Sequence, residues 1–124
     1  MGQERRRGVR STTKLIAFVK NPTTGKVKRW LTKDVSGFGL CLLADESLER
    51  GTHLEVELKL PDYPSPIVTT AEVIWVMTVE APRRSFDAPK VELGITFVDL
   101  PPKVQALLNQ YAVMTAPPSE PHQA

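Results

Sequence analysis

The sequence predicts a mostly β domain: about six short antiparallel strands forming a small barrel or sandwich, with one C-terminal α-helix as a lid. Three observations lead there. In THLEVELKL, Leu54, Val56, Leu58 and Leu60 alternate with Glu55, Glu57 and Lys59, the period of two expected of a strand with one buried face and one wet face. In PPKVQALLNQYAVM the period changes, and Val104, Leu107, Leu108 and Tyr111 fall at i, i+3, i+4 and i+7, the apolar stripe of an amphipathic helix. At 124 residues the chain has room for one modest core and not for two.

The remaining elements follow in order. KLIAFVK and KVKRWLT flank NPTTG, a cluster of turn formers that reads as the loop of a hairpin. GLCLLA supplies the next strand. IVTTAEVIWVM puts Ile67, Ala71, Val73, Trp75 and Met77 on one face, and VELGITFV does the same with Val91, Leu93, Ile95 and Phe97. The proline-rich EAPRRSFDAPK joins these two strands as a long loop. Proline at the start of the helix is compatible with its first turn, where the missing N–H has no helical partner. The expected organisation is a flexible basic arm over residues 1–11, the barrel and helix over 12–114, and a disordered, proline-rich tail over 115–124.

Composition excludes more than it identifies. No stretch approaches the roughly 20 apolar residues of a membrane-spanning helix. The charged N-terminus is not followed by the apolar core and cleavage site of a secretory signal. The expectation is a cytoplasmic protein with no membrane insertion. The single cysteine, Cys41, lies inside an apolar run and reads as a small buried hydrophobe. His53 and His122 stand far apart with no partners at metal-ligand spacing, so no metal and no cofactor are expected. Trp30 and Trp75 sit in strand patterns, as core or half-exposed sheet residues, and Glu55 and Glu57 belong to a solvated sheet face. There is no phosphate-binding loop, no serine-nucleophile elbow and no catalytic pair, and no enzymatic activity is expected.

Two constellations carry recognition chemistry. Arg6 and Arg10 are spaced as RxxxR, with Arg5 and Arg7 beside them. Guanidinium groups hold a fixed charge and a planar donor fork that pairs with phosphate oxygens or with the O6/N7 edge of guanine, and a guanine nucleotide offers both. The same cluster is also what a solvated basic arm looks like. The second constellation is Asp34, Ser36 and Gly39 in KDVSGFGLCL. In an extended segment Asp34 and Ser36 project to the same side, where a carboxylate accepts from guanine N–H groups and a hydroxyl donates or accepts. Gly37 and Gly39 allow a sharp turn, with a positive φ expected at Gly39, and let a ligand approach the backbone. Alone, this is also ordinary turn chemistry.

Taken together and in this order, the two patterns resemble the PilZ family, whose cyclic di-GMP receptors combine RxxxR before the first strand with [D/N]xSxxG between the second and third. Arg6 and Arg10 match the first motif, and Asp34, Ser36 and Gly39 the second. The resemblance runs from about Arg5 to Val113 and includes LGITF, with Gly94 and Phe97, and the closing helix. It implies a six-stranded antiparallel split β-barrel with a C-terminal helix. It also implies a non-enzymatic cyclic di-GMP receptor in which the arginines hold guanine and phosphate, Asp34 and Ser36 hold the other face of a guanine, and the arm folds over the ligand.

On that reading ligand binding orders the arm, and a downstream partner protein in motility, biofilm or envelope processes reads the altered surface. Arg5, just before RxxxR, leans towards two ligand molecules per chain, because an intercalated pair concentrates phosphate charge. The alternative is a PilZ-like interaction scaffold that uses the nucleotide little. A single-stranded nucleic acid binder would need more exposed aromatic residues and a wider basic stripe, and no nucleic acid partner is expected.

Overall fold

The computed structural model describes residues 11–61, 63–78 and 91–115. Six strands, β1 (Ile16–Lys20), β2 (Val27–Val35), β3 (Gly39–Ala44), β4 (His53–Leu58), β5 (Ile67–Thr78) and β6 (Val91–Val98), precede one helix, α1 (Pro102–Thr115). All neighbouring pairs are antiparallel and the sheet closes on itself in the order β1-β2-β3-β6-β5-β4, so the barrel leaves no open edge. The NPTTG hairpin forms as the sequence predicts. Asn21 Oδ1 accepts from Thr23 N at 3.0 Å, and Gly25, at φ 78°, donates its N–H to the Asn21 carbonyl at 2.7 Å.

Alternation places the core. Leu54, Val56, Leu58 and Leu60 are buried, as are Val91, Leu93 and Ile95, with Phe97 packed against them. On β3, Leu40, Leu42 and Ala44 join the core cluster, whereas Cys41 lies on the opposite face and is nevertheless only 3% exposed. Each fully buried leucine contributes on the order of 1.5–3 kcal/mol relative to an exposed one.

Two β-bulges interrupt the alternation, and both change which side chains face out. In β2 the pairing with β3 slips between Thr32 and Asp34, so Trp30, Thr32 and Val35 point inward while Asp34 does not. In β5 the pairing with β6 slips between Val73 and Trp75. Unbroken alternation predicts Trp75 and Met77 in the core with Ala71 and Val73. Instead they are 37% and 56% exposed, and Val76 packs on the core. The extra residue, Ile74, inverts the parity of everything after it.

The helix starts at Pro102, after Asp99 at φ 58°, and the Pro101 carbonyl accepts from Val104 N and Gln105 N. Its fully buried seam is Leu108 and Ala112, with Val104, Leu107 and Tyr111 flanking it half-buried. The predicted stripe is therefore present but rotated towards Leu108 and Ala112. Two boundaries also move by one residue. Ser11, assigned to the flexible arm, is fully buried and paired, and Thr115, assigned to the tail, is helical. The loop over residues 80–90, the arm over residues 1–10 and the tail from residue 116 lie outside the described residues.

Candidate ligand-binding site

The DVSGFG segment is the connection between β2 and β3, and its serine organises it. Ser36 N donates to the Gly39 carbonyl at 2.9 Å, and Ser36 Oγ accepts from Phe38 N at 3.1 Å and Gly39 N at 3.2 Å. With both acceptor positions used and the residue 1% exposed, Ser36 holds the turn's shape from inside it. Among the described residues its hydroxyl proton is directed at the Gly39 carbonyl, at 3.4 Å.

The glycines are required by crowding. Gly39 is not left-handed, contrary to the positive φ expected of it; among described glycines only Gly25 and Gly51 have positive φ. A Cβ on Gly39 would instead run into the Ile95 carbonyl of β6. A Cβ on Gly37 would stand 3.1 Å from Asn109 Cβ and 3.3 Å from the Gln105 carbonyl, so the turn is seated on α1. The Phe38 carbonyl accepts from Phe97 N at 2.9 Å and from Thr96 Oγ1 at 3.3 Å, tying the turn to β6 as well.

The N-terminal segment is anchored at the same place. Ser11 N donates to the Val35 carbonyl and Val35 N to the Ser11 carbonyl, both at 2.8 Å. Val35 sits between Asp34 and Ser36, so the residue following RxxxR is fixed in the middle of the second motif. A run of hydroxyls continues from the buried Ser11 outward. Ser11 Oγ lies 3.0 Å from Thr13 Oγ1 and 2.7 Å from Thr115 Oγ1, and Thr115 donates to the Tyr111 carbonyl at 2.7 Å. Thr32 Oγ1 accepts from Leu15 N at 2.8 Å and donates to the Thr13 carbonyl at 3.2 Å. The root of the arm is thereby joined to the end of α1. Arg5, Arg6, Arg7 and Arg10 lie outside the described residues.

Asp34 is half-buried on the outer face, opposite Cys41. Beside it Lys33 Nζ pairs with Glu92 Oε2 at 3.0 Å, and this hydrogen bond and charge raise the lysine's pKa. Cys41 Sγ lies 3.8 Å from Glu92 Oε1. Burial first, then the carboxylates of Asp34 and Glu92, push its thiol up to about 12, so it remains a protonated, inert hydrophobe. Among the described residues no group of His, Cys, Asp and Glu could hold a metal ion, and no helix is long and apolar enough to cross a membrane.

The structure thus brings Asp34, Ser36, Gly39 and the root of RxxxR together. Sequence reasoning missed the outward placement of Trp75, whose indole lies over Gly94. No periodic signal marks it, since the β5 segment is apolar on both faces at that end.

Comparison with known proteins accords with this arrangement. The chain is similar in fold to Bacillus subtilis inhibitor of motility (MotI/DgrA), with a TM-score of 0.71 and 23% identity over 89% of this chain and 50% of that one. It is similar to the Escherichia coli YcgR PilZ domain solved with c-di-GMP, at TM-score 0.70 and 17% identity over 90% and 91% of the two chains. Klebsiella MrkH matches at TM-score 0.70 and 16% identity, over 90% of this chain and 50% of that one. The chain therefore spans about half the length of MotI and MrkH. No curated protein sequence matches it significantly. The PilZ domain family model covers residues 4–113, which takes in both motifs, all six strands and nearly all of the helix, and the chain belongs to that family.

Proposed function

We propose that this PilZ domain is a receptor for cyclic di-GMP that orders its basic arm on binding and presents the altered surface to a partner protein. The observation that carries the reading is the pairing of Ser11 with Val35, which ties the chain at the end of RxxxR to the centre of the DxSxxG turn. Arg6 and Arg10 would take phosphate and the guanine O6/N7 edge. The Asp34 carboxylate would accept from the guanine N1–H and N2–H₂ groups. Ser36 would offer its hydroxyl proton while keeping the turn in shape, and Gly39 would let β3 and β6 close beneath the ligand. That the YcgR PilZ domain was solved with c-di-GMP supports the same ligand class. PilZ domains are regulatory receptors, so the proposed output is a binding event, in the cytoplasm, with no reaction catalysed.

One observation favours the scaffold alternative: Ser36 is buried and both its acceptor positions serve the turn. Calorimetry with cyclic di-GMP, with GTP and linear pGpG as controls, separates the two. The receptor reading expects micromolar or tighter binding of the cyclic dinucleotide alone. It also expects Arg6→Ala and Arg10→Ala each to cost about 1.5–3 kcal/mol of affinity without lowering the melting temperature. No heat at high micromolar ligand would leave the scaffold, whereas wild-type affinity in either variant would overturn the assignment of that arginine.

A further inference from the structure

A groove of about 490 Å³ runs between α1 and the connection that follows β4. One wall is Leu60, Pro61 and Tyr63, and the other is Leu107, Tyr111 and Met114 on one face of the helix. None of the residues that line it is charged, so a phosphate ligand would find no cation to pair with there. The DVSGFG turn is seated against Gln105 and Asn109, on the other side of the buried Leu108–Ala112 seam. The groove is therefore separate from the nucleotide site proposed above.

Two features ask for an occupant. Tyr63 and Met114, one on each wall, are large apolar side chains left 42% and 75% exposed. Between them the Tyr111 hydroxyl is buried, and no group among the described residues accepts its proton. A buried hydroxyl without a partner is costly, so the missing acceptor has to come from outside the described residues.

An extended, proline-rich segment supplies what is missing. In the polyproline II conformation its prolyl rings wedge between aromatic side chains, and its carbonyls, unpaired within the segment, can accept from a phenol. This chain carries such a segment at the groove itself. Thr115 lines the groove and is followed by APPSEPHQA, in which Pro117 cannot continue the helix. Along α1 the groove runs from Leu107 to Met114, about 10 Å at 1.5 Å per residue. Polyproline II repeats every three residues at about 3.1 Å each, which would put Pro118 and Pro121 on one face about 9 Å apart. That spacing matches the groove and leaves Ala116 and Pro117 to reverse the chain.

We infer that this groove is a binding site for a polyproline II segment and that residues 116–121 of the same chain occupy it, with Tyr111 donating to a carbonyl of the tail. A linked segment acts at an effective concentration of millimolar order, so individually weak contacts suffice to fill the site. A second copy of the chain is the poorer fit, because a two-fold contact must be self-complementary and a groove needs a ridge. The occupancy does not depend on nucleotide binding at the turn.

Proton NMR of the full chain beside a chain ending at Thr115 tests this. The protein has two tyrosines and both line the groove, so their rings report on it specifically. In the full chain, cross-peaks are expected between the rings of Tyr63 and Tyr111 and those of Pro118 and Pro121. Removing residues 116–124 should shift both tyrosine spin systems while the strand amides keep their positions. Pro118→Ala combined with Pro121→Ala keeps the tail's length, and should lose the same cross-peaks and reproduce the shifts. If the shortened chain loses its strand amides, the double proline variant decides alone, by keeping or losing the tyrosine shifts of the wild type. Tyrosine resonances unchanged by either alteration overturn the inference and leave the groove to a proline-rich segment of a partner. Tyrosine resonances that move with protein concentration, in the shortened chain as in the full one, place a second copy in the groove and overturn it as well.

Discussion

Ser11 and Val35 exchange two backbone hydrogen bonds of 2.8 Å, and this one pair joins the two halves of the candidate site. Because Ser11 is also 2.7 Å from Thr115 through its hydroxyl, the same residue contacts the last turn of α1. Ser11, Thr32 and Ser36 are the buried polar side chains of the described core, and all three serve this junction. Burying a hydroxyl is costly unless it is hydrogen-bonded, so the concentration of bonded ones here marks a place where backbone geometry is held by side chains.

Asp34 and Ser36 should separate cleanly by mutation. Asp34 lies on the outer face, half-buried, so Asp34→Ala is expected to weaken cyclic di-GMP binding by about 1–3 kcal/mol with little change in melting temperature. Ser36→Ala strands the N–H groups of Phe38 and Gly39 inside the turn, and is expected to lose about 1–3 kcal/mol of stability as well as affinity. Paired thermal melts and calorimetry check this. Equal melting temperatures for the two variants would remove Ser36 from the turn's architecture.

At Gly39 the obstacle is the Ile95 carbonyl and not the backbone angle, which changes the expected series. Were φ positive, Asn would be tolerated better than Ala. Here the first carbon of any side chain meets β6, so Gly39→Ala and Gly39→Asn should both destabilise, by about 1–3 kcal/mol or more, and Gly39→Val further. Urea titrations of the three variants rank them. Near wild-type stability in Gly39→Ala would show that β3 and β6 can part locally.

The barrel was legible in the sequence wherever one face is buried and the other wet, as along Leu54, Val56 and Leu58, because alternation and burial then carry the same information. The two motifs stood out only together, through their resemblance to the family pattern, since each alone also reads as a solvated arm or an ordinary turn. Parity after a bulge was not. Val73, Ile74, Trp75, Val76 and Met77 are all apolar, so no polar residue marks which face is wet, and one inserted residue moved Trp75 and Met77 outside. The crowding at Gly39 was hidden for a different reason, since it arises from β6, more than fifty residues away in sequence.

Cys41 predicts an alkaline weakness. Burial and the neighbouring carboxylates raise the folded thiol to about 12, so above the ordinary thiol value the unfolded chain gives up a proton that the folded chain keeps. Stability contributed by the neutral thiol is therefore complete below that ordinary value. It falls as pH climbs towards about 12, by up to about 1.4 kcal/mol per pH unit. Denaturant melts across this range should show a steeper decline for the wild type than for Cys41→Ala, the difference cancelling the lysines common to both. Iodoacetamide at pH 8 should leave the native thiol unlabelled and label it in urea. Parallel pH profiles for the two proteins would mean that the thiol is solvated.

The last prediction concerns the number of ligands bound. Arg5 precedes RxxxR by one residue, and a mutually intercalated pair of cyclic dinucleotides brings four phosphates together where a single ligand brings two. Each added phosphate charge is costly at short range unless a guanidinium faces it, and Arg5 is the extra one that an apolar residue at that position would not supply. Two molecules per chain are therefore expected at saturation, falling towards one in Arg5→Leu, with Arg7→Leu as the control for substitution by its neighbour. Calorimetric stoichiometry and the ligand absorbance carried by the protein through sedimentation both measure this ratio. A value near one for the wild type would assign Arg5 to affinity alone and leave Arg6 and Arg10 as the guanidinium pair that holds a single ligand.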